Sequence, residues 1–588
     1  MLTDDLLLQV MKPARYIGEE WNVCRKDFDG ADFKFALCFP DLYEIGMSNL
    51  GVRILYGVLN AYPHAACERF FAPAADWEKI LRDRGQELSS LESGRNLRDF
   101  DVVGFSLGFE LGYTTVLNML ELGGIPLLSS QRTEDYPLVI GGGPCAFNPE
   151  PMHAFFDLFI IGEAEEAIVE FCSLYRQCKK RLKSAAMRKQ DFLIQCASIE
   201  GVYVPSLYEV RFDSKGMTVE FKPRVNGVAS MVRKRIIKDF NSSFFPAEWL
   251  VPYIQIVHDR VTLEIMRGCP NTCRFCQARQ QYFPFRVRSP EKIIELAKAS
   301  YARTGYEEIS LGGLSVSDYP GLGALFEALI GYFKDKGVGL SLPSIKAKTV
   351  VGDVSCLIAT IKKTGLTFAP EAGSEKLRNL LSKNFNLNEF FGVLTKAYEG
   401  GYQHVKLYFM IGVPFETEAD IEAIVELAAG VSELKRKINK GAAQVNISIN
   451  VLIPKPHTPL QWFKMDTLES LEQKQRYLKS KAARFHKLKL TFHDHRMSLM
   501  EAILSRGDRR LSPVIARVFK EGARLEGWDE NFVFDRWIRA FREEAIDADF
   551  YLRAKACDEI LPWDFIDVGV SKEHLREEYV SLTAQGPV

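Results

Sequence analysis

The sequence has almost no net charge, and it lacks a long apolar run and a leader-like N-terminus. Its 75 Lys and Arg balance 76 Asp and Glu, for a net charge of −1. This balance excludes a protein held to nucleic acid or an anionic membrane by bulk charge, though not one with a local basic face. No uncharged apolar stretch approaches the ~20 residues that a spanning helix needs. Asp4 and Asp5 precede the first apolar run, which begins at Leu6, and no small-residue cleavage site follows. We therefore expect a cytoplasmic protein without a membrane segment.

The cysteines lack the spacing of a disulfide framework, and most stand alone. The chain has 588 residues and 12 cysteines, and in a reducing compartment these are expected to be free thiols. Nine are scattered among mostly apolar neighbours and are interpreted as small buried hydrophobic residues. The other three, Cys269, Cys273 and Cys276, stand together. This cluster is the strongest chemical signal in the chain.

The length predicts several domains, because one core stops growing near roughly 250–300 residues. Residues 1–200 alternate strand-like and helix-like runs, as in an α/β doubly wound, Rossmann-like domain. Residues 201–255 read as a hairpin and a linker. Residues 256–485 contain six strand–helix repeats, which predict a partial (β/α)6 TIM-type barrel with its chemistry at the carboxyl ends of the strands. Residues 486–588 read as a mostly helical C-terminal region.

The three clustered cysteines follow the first predicted barrel strand, Thr262–Met266, on a loop opened by Arg267 and Gly268. Thiolates spaced C-x-x-x-C-x-x-C on a short loop can converge on one iron–sulfur cluster. A four-iron cluster offers four positions, so one iron would stay open to another ligand. The alternative is a zinc site, which prefers four protein ligands in paired C-x-x-C spacing. Neither a fourth cysteine nor a histidine follows close to this cluster in the sequence.

The segment MRGCPNTCRFCQAR resembles the signature of radical S-adenosylmethionine (SAM) enzymes. The resemblance implies a 4Fe–4S cluster on Cys269, Cys273 and Cys276, with SAM on the open iron. One electron then cleaves SAM, and the 5′-deoxyadenosyl radical abstracts a substrate hydrogen. It also implies a one-electron donor such as flavodoxin or ferredoxin as partner.

Phrases at later strand ends match the places where this family holds SAM, and each predicts cofactor-binding residues. The residues so implied are Gly312, Gly313, Ser344, Lys346, Glu371, Gly373, Ser374, Arg378, Gly412 and Pro414. Phe275, directly before the last cysteine of the signature, is implied as a further cofactor-binding residue.

The front domain resembles the cobalamin-binding module that precedes many radical SAM enzymes, and the order of modules resembles one bacterial group with such a fused domain. The resemblance implies that a cobalamin nucleotide tail passes along the residues Ser106, Gly108, Gly141, Gly142 and Gly143. Modules that ligate cobalt carry D-x-H-x-x-G, whereas here Tyr43 stands at the histidine position. A phenol is a poor cobalt ligand compared with imidazole. Either cobalamin binds without a lower protein ligand, or the fold persists without its cofactor.

Three functional hypotheses follow. The first is a radical SAM enzyme that uses cobalamin to methylate an unactivated carbon. The second is radical SAM modification of RNA or protein with a vestigial front domain; its methylthiolation version needs a second cluster, for which Cys38, Cys67 and Cys145 are the candidates. The third is a non-catalytic, metal-stabilised RNA-binding scaffold. Basic residues between Lys474 and Lys489, with Arg233–Arg235, could face RNA, or they could form a solvated surface. The substrate and the oligomeric state are left open.

Overall fold

The front of the chain forms a six-stranded sheet in the structure, a computed structural model that describes residues 4–341, 366–438 and 441–584. Its spatial order is β2-β1-β3-β4-β5-β6; the first five strands are parallel and β6 is antiparallel to β5. The strands are β1 (Phe33–Phe39), β2 (Ala65–Phe71), β3 (Val102–Ser106), β4 (Leu138–Gly142), β5 (Leu158–Ile160) and β6 (Val202–Tyr203).

This order is doubly wound, and its direction reverses between β1 and β3, where such sheets bind ligands. The strands are near-continuous apolar runs because helices cover both faces of the sheet. These helices and the N-terminal turn are α1 (Asp4–Leu7), α2 (Tyr43–Gly46), α3 (Leu50–Ala61), α4 (Ala75–Arg84), α5 (Tyr113–Leu122), α6 (Ala164–Lys183) and α7 (Lys189–Cys196). Asn49 caps α3 by accepting a hydrogen bond from the Val52 amide at 3.1 Å.

The predicted hairpin is present, and the segment after it is packed against the rest of the chain. β7 (Tyr208–Phe212) pairs antiparallel with β8 (Thr218–Pro223), and β9 (Val232–Arg233) pairs with β19 (Ile566–Asp567). Trp249 is 3% exposed in the second apolar core. This segment therefore connects the front sheet, the barrel and the end of the chain through buried contacts.

The second half of the chain forms a partial TIM-type barrel in two parallel groups of strands. The first group is β10 (Val261–Glu264), β13 (Glu308–Gly312) and β14 (Gly339–Ser341); the second is β15 (Leu366–Glu371), β16 (His404–Ile411), β17 (Gln444–Val451) and β18 (Leu488–Phe492). The helices around them are α8 (Gln277–Gln281), α9 (Pro290–Thr304), α10 (Leu322–Phe333), α11 (Glu375–Leu380), α12 (Leu387–Glu399), α13 (Glu418–Ile438) and α14 (Leu468–Ala482). The helix expected between β14 and β15 lies outside the described residues.

The described part of the barrel has seven parallel strands, one more than the six predicted. The additional strand, β18, continues the sheet beyond β17, with Val445 opposite Leu488. Its alternation is short and begins inside the basic stretch that ends at Lys489, so the local pattern favours a charged surface there. The pairing partner β17 precedes it in the chain with the whole of α14 between them, and local pattern does not report that pairing.

The C-terminal helices complete the core of the front sheet. They are α15 (His495–Ser505), α16 (Leu511–Lys520), α17 (Phe534–Glu543), α18 (Asp549–Leu552) and α19 (Lys572–Ala584). Val514, Ile515 and Trp537 are fully buried and belong to the same apolar core as β1 and β3. The Asn148 side-chain amide donates to the carbonyls of Ser505 and Gly507, both at 2.9 Å. The predicted helical region thus forms one wall of the front domain.

Within residues 4–341, 366–438 and 441–584, none of the helices has the length and apolar character needed to cross a bilayer.

Candidate functional site: the cysteine loop and the interface cavity

The three cysteines lie on a loop that is closed at its base by a short pair of strands. β11 (Met266–Arg267) pairs antiparallel with β12 (Arg286–Val287). Gly268 has φ +80°, and a Cβ there would lie 2.6 Å from the Pro284 carbonyl oxygen. Glycine is therefore required where the loop leaves the strand. The loop holds Cys269, Cys273 and Cys276 at the carboxyl side of β10, as the sequence predicted for a barrel active site.

Hydrogen bonds fix the loop around the thiols. The Asn271 side-chain amide donates to Cys269 Sγ at 3.2 Å and to Asp318 Oδ2 at 2.8 Å. Asp318 follows β13 and also accepts from the Ser315 hydroxyl at 2.6 Å. Burial raises the pKa of Cys276, while the amides of Arg279 and Ala278 act to lower it. Sequence reasoning missed Asp318, because its contact with the loop joins two segments that are far apart in the chain.

Among the described residues, no three His, Cys, Asp or Glu side chains are gathered around one metal-ion position. A single zinc ion would need such a set. A 4Fe–4S cluster instead takes each thiolate on a different iron. The donor set, three thiols on one loop, fits the cluster better than the zinc site.

Lys383 is a second residue that sequence reasoning missed. Its Nζ lies 3.3 Å from Glu371 Oε1 and 6.0 Å from the centre of the Phe275 ring. Burial acts to lower the pKa of Lys383, but the charges of Glu371, Cys273 and Cys276 outweigh it and hold the pKa above its usual range. This ammonium group therefore lies beside the cysteine loop, together with the predicted Glu371 and Phe275. The only sequence signal was a lysine on the loop that follows Glu371 and α11.

The other residues predicted after β15 have partners within the protein. Ser374 Oγ donates to Asp420 Oδ1 at 2.6 Å, and it accepts from the Leu377 amide to cap α11. Arg378 is 2% exposed and donates to the Gly373 carbonyl at 2.5 Å. A Cβ on Gly373 would lie 2.2 Å from the amide nitrogen of Ile424. These three predicted residues shape the loop, and their contact with a cofactor stays a prediction.

Backbone strain marks the last residue of β15 and the loops that follow β16 and β17. Glu371, Phe415 and His457 have φ values of +68°, +62° and +60°. Non-glycine residues rarely adopt this region, and such strain gathers at functional sites. Gly412, at φ +80°, donates its amide to Glu416 Oε2 at 2.9 Å, and Pro414 is half-buried beside it. Ser344 and Lys346, predicted after β14, lie outside the described residues.

A cavity of about 560 Å³ lies between the front sheet and the barrel. Seven predicted residues line it: Ser106, Gly108, Gly141, Gly142, Gly143, Gly312 and Gly313. The remaining wall is mostly apolar, with Phe35, Leu37, Ile54 and Ile140 among its members. Gly268, directly before Cys269, also lines the cavity. The structure therefore brings two glycine-rich segments from different domains, residues 141–143 and 312–313, to one cavity beside the cysteine loop.

Glycines open this cavity where strands end. Gly143 has φ +97°, and a Cβ there would lie 2.9 Å from the Leu107 carbonyl oxygen. A Cβ on Gly108, by contrast, would meet nothing within 4 Å. Backbone at these positions can therefore approach a ligand closely, which is the use the sequence suggested for them.

Tyr43 does not line the cavity. It is 2% exposed, its hydroxyl donates to Glu20 Oε1 at 2.8 Å, and its ring packs edge-on against Phe71 at 5.3 Å. Asp41, two residues earlier, accepts a hydrogen bond from the Trp528 indole at 2.9 Å. On the loop that carries the cobalt ligand in other modules, the side chains of Asp41 and Tyr43 thus make contacts within this protein.

Ion pairs tie the front sheet to the base of the cysteine loop. Arg267 Nη2 lies 2.8 Å from both Glu165 and Glu264, and its Nη1 lies 3.5 Å from Glu163. Glu163 also pairs with Arg286. Burial acts to raise the pKa of Glu163, yet the hydrogen bonds from Arg286 and the charge of Arg267 hold it below its usual value. The same network of ion pairs therefore lies at the wall of the cavity and at the base of the cysteine loop.

The three cysteines considered for a second cluster are each buried in the apolar core of the front domain. Cys38 is fully buried, with its thiol 3.8 Å from the Ala36 carbonyl. Cys67 lies near Cys172, and Cys145 lies near Glu110 and Lys455. Burial raises the pKa of all three thiols. This arrangement gives no support to a second cluster.

Much of the predicted basic surface forms ion pairs with acidic side chains of the protein. Lys474 Nζ lies 2.6 Å from Glu416, and Lys481 Nζ lies 2.8 Å from Glu422. Arg235 pairs with two glutamates of α6, and Lys234 is 1% exposed, bonded to the Gln280 carbonyl. The solvated, ion-paired interpretation fits these residues better than an RNA-binding face.

Two family models match the sequence of this chain. One described as "Radical SAM superfamily" matches residues 263–428, and one described as "Radical SAM proteins, N-terminal" matches residues 51–205. The chain belongs to the radical SAM superfamily. The first match contains the cysteine loop, and the second contains β3 and β4, two of the front strands that line the cavity.

Among curated proteins, "Uncharacterized protein MJ0966" of Methanocaldococcus jannaschii is 26% identical over 515 residues, 87% of this chain and 97% of that protein. The tRNA-2-methylthio-N(6)-dimethylallyladenosine synthase of Chlorobium luteolum is 28% identical over 184 residues, 28% of this chain and 38% of that enzyme. Among solved structures, the radical SAM methyltransferase TsrM of Kitasatospora setae, with cobalamin and a 4Fe–4S cluster bound, has a TM-score of 0.51 at 12% identity, covering 87% of this chain and 99% of that chain. At that identity the likeness establishes the fold alone.

Proposed function

We propose that this radical SAM protein is an enzyme that cleaves SAM reductively at a 4Fe–4S cluster and uses cobalamin to methylate an unactivated carbon. The observation that carries the proposal is the cavity between the front sheet and the barrel, which ends at the residue before Cys269. A site that must bring a methyl carrier and a radical source to one substrate needs such a shared space. The TsrM structure, which contains both groups in the same fold, supports this assignment.

The cluster would be held by Cys269, Cys273 and Cys276, and when reduced it supplies the electron that cleaves SAM. The chain's own residues orient this site. Asn271 fixes the first thiol through its hydrogen bond. Lys383 places a positive charge beside the other two, which favours their thiolate forms. Glu371, held by Lys383, presents a carboxylate at the end of β15, where a polar group of SAM could be bound.

Cobalamin would occupy the interface cavity and supply the methyl group. Its apolar walls and glycine backbones would accommodate the nucleotide tail, since a Cβ on Gly108 would meet only open space. Cobalt would receive no ligand from the Asp41–Gly46 loop, because Tyr43 and Asp41 are bonded within the protein. Tyr43 and Asp41 would therefore take no part in holding cobalamin. The front residues 1–200 and the barrel residues 256–485 would then act as the methyl-donor and radical modules.

The second candidate is radical SAM modification of RNA or protein without cobalamin. The similarity to a tRNA methylthiotransfer enzyme over 184 residues favours it. Two observations weigh against its methylthiolation version: Cys38, Cys67 and Cys145 are each buried in the apolar core, and much of the predicted basic surface is ion-paired. We keep it as the alternative, with a one-electron donor such as flavodoxin or ferredoxin as partner in either case. None of the described cysteines forms a disulfide, which suits a cytoplasmic, reducing compartment.

The test is anaerobic reconstitution of the full chain with iron, sulfide and cobalamin. We expect about four irons and about one retained cobalt per chain, and release of 5′-deoxyadenosine and methionine after reduction in the presence of SAM. Iron with product release but no retained cobalt would favour the second candidate. A colourless zinc protein that releases neither product would refute both and leave the scaffold hypothesis.

A further inference from the structure

The last helix of the described chain, α19, packs directly on the cysteine loop. Leu582 is fully buried, in one apolar cluster with Leu380 and Leu381, against which Phe275 packs. Tyr579 packs edge-on against Phe463 at 4.9 Å. The cysteine loop is thus covered by a segment from the far end of the chain.

Glu578 of α19 adds ion pairs to this apolar contact. Its Oε2 lies 3.3 Å from Arg274 Nε, and its Oε1 lies 3.9 Å from Arg279 Nη1 and 3.1 Å from His574 Nε2. Arg274 stands between Cys273 and Phe275, and Arg279 follows shortly after Cys276 on α8. One carboxylate therefore faces both arginines that flank the second and third cysteines.

These charges are held where water screens them little. The side chains of Glu578, Arg274 and Arg279 are 19%, 19% and 18% exposed. Arg279 Nη1 is buried and makes no hydrogen bond to the described residues. Partly buried charges interact more strongly than exposed ones, because the surrounding dielectric is lower. Removal of Glu578 would leave two arginines beside the loop with one carboxylate fewer to balance them.

We propose that Glu578 is a positioning residue that balances Arg274 and Arg279 and keeps the reduction potential of the cluster low. The inference rests on the proposed function, because it assumes a 4Fe–4S cluster on the three cysteines. A reduced cluster carries one more negative charge than an oxidised one. Uncompensated arginines would stabilise the reduced form and raise the potential, which weakens the cluster as an electron donor to SAM. The electron itself comes from a one-electron donor of the flavodoxin or ferredoxin class.

The experiment is an anaerobic redox titration of the reconstituted full chain, without SAM, followed by electron paramagnetic resonance. Glu578→Gln removes the charge and keeps the shape, Glu578→Asp keeps the charge, and Glu577→Gln removes a neighbouring exposed carboxylate as a control. We expect Glu578→Gln to raise the ratio of reduced to oxidised cluster at a fixed solution potential about threefold, which is roughly 30 mV for one electron. Glu578→Asp should shift much less, and Glu577→Gln should match the wild type.

The outcomes separate this inference from the proposed function. A wild-type protein that assembles no iron–sulfur cluster overturns both. A wild-type cluster whose midpoint is unchanged in Glu578→Gln overturns the role of Glu578 and leaves the proposed function standing. If Glu578→Gln holds too little iron to titrate, Arg279→Gln takes its place: it should shift the midpoint to more negative values, and an unchanged midpoint there refutes the inference.

Discussion

The substitution Gly108→Trp tests the interface cavity directly. Gly108 lines the cavity, and a Cβ there would meet no atom within 4 Å, so a side chain can extend into the space without displacing backbone. Gly104 of β3 does not allow this, because a Cβ there would lie 2.4 Å from the Phe35 ring. Gly108→Trp should therefore fold with near wild-type stability and change only what the cavity can hold.

The expected loss follows from the area that the indole would take. An aromatic side chain buries about 150–250 Å², which at about 25 cal/mol per Å² corresponds to roughly 4–6 kcal/mol of apolar contact denied to a ligand. Part of a ligand lies outside the blocked region, so we expect at least a hundredfold loss in cobalamin affinity, about 2.7 kcal/mol.

The assay is cobalt retained after gel filtration, together with the visible spectrum of the bound corrin. Gly331→Ala provides the control, since Gly331 also has open space around its Cβ but lies on α10, away from the cavity. The iron content of Gly108→Trp should equal that of the wild type. If a folded Gly108→Trp protein retains cobalamin as the wild type does, the cavity is not the cobalamin site and the assignment fails.

Three further predictions concern the cluster, the strand ends and pH. Cys273→Ala should lower the iron content from about four atoms per chain to near zero, whereas Cys145→Ala should leave the iron content unchanged. A loss of iron in Cys145→Ala would restore the second-cluster hypothesis. Gly373→Ala should lower the melting temperature by several degrees, measured by scanning calorimetry, because its Cβ would lie 2.2 Å from a backbone nitrogen of α13; an unchanged melting temperature would show that the loop can move away. Burial lowers the pKa of His457 to about 4, whereas in the unfolded chain it is about 6.5. Between these two pH values the unfolded chain binds a proton that the folded chain does not. The free energy of unfolding should therefore fall by up to about 1.4 kcal/mol per pH unit as the pH is lowered through this window. His457→Asn should flatten that part of the pH–melting temperature curve, and an unaltered slope would contradict the assignment.

Local patterns were sufficient to predict the cysteine loop and most strands. Phe33–Phe39 and His404–Ile411 are strands with the predicted bounds, since each is an apolar run that a parallel sheet buries. The cysteines could be found because their spacing is itself the signal. In each of these cases the information lies within one short stretch of the chain.

Contacts between distant segments could not be predicted in this way. Lys383 lies beside the cysteine loop, yet the strands β13, β14 and β15 come between them in the sequence, and Glu578 reaches the same loop from the last described helix. Tyr43 is interpreted from the sequence by analogy with a cobalt ligand, but its partner Glu20 lies on an earlier segment with no regular pattern. β18 was missed for the same reason, because its identity as a strand depends on the pairing with β17.

The cavity also bears on whether the front domain is vestigial. Protein interiors are close-packed, and a domain with no ligand to hold gains stability by filling a large apolar space. Here about 560 Å³ persists at the strand ends where doubly wound sheets bind ligands, lined by glycines from β4 and from the end of β13. The same space touches Gly268 and Arg267, and Arg267 is held by Glu163 and Glu165 from the front domain. A front domain retained only as a scaffold would need neither the open space at Gly108 nor charged ties to the base of the cysteine loop. Both features are expected of a module that presents a bound group to the radical site.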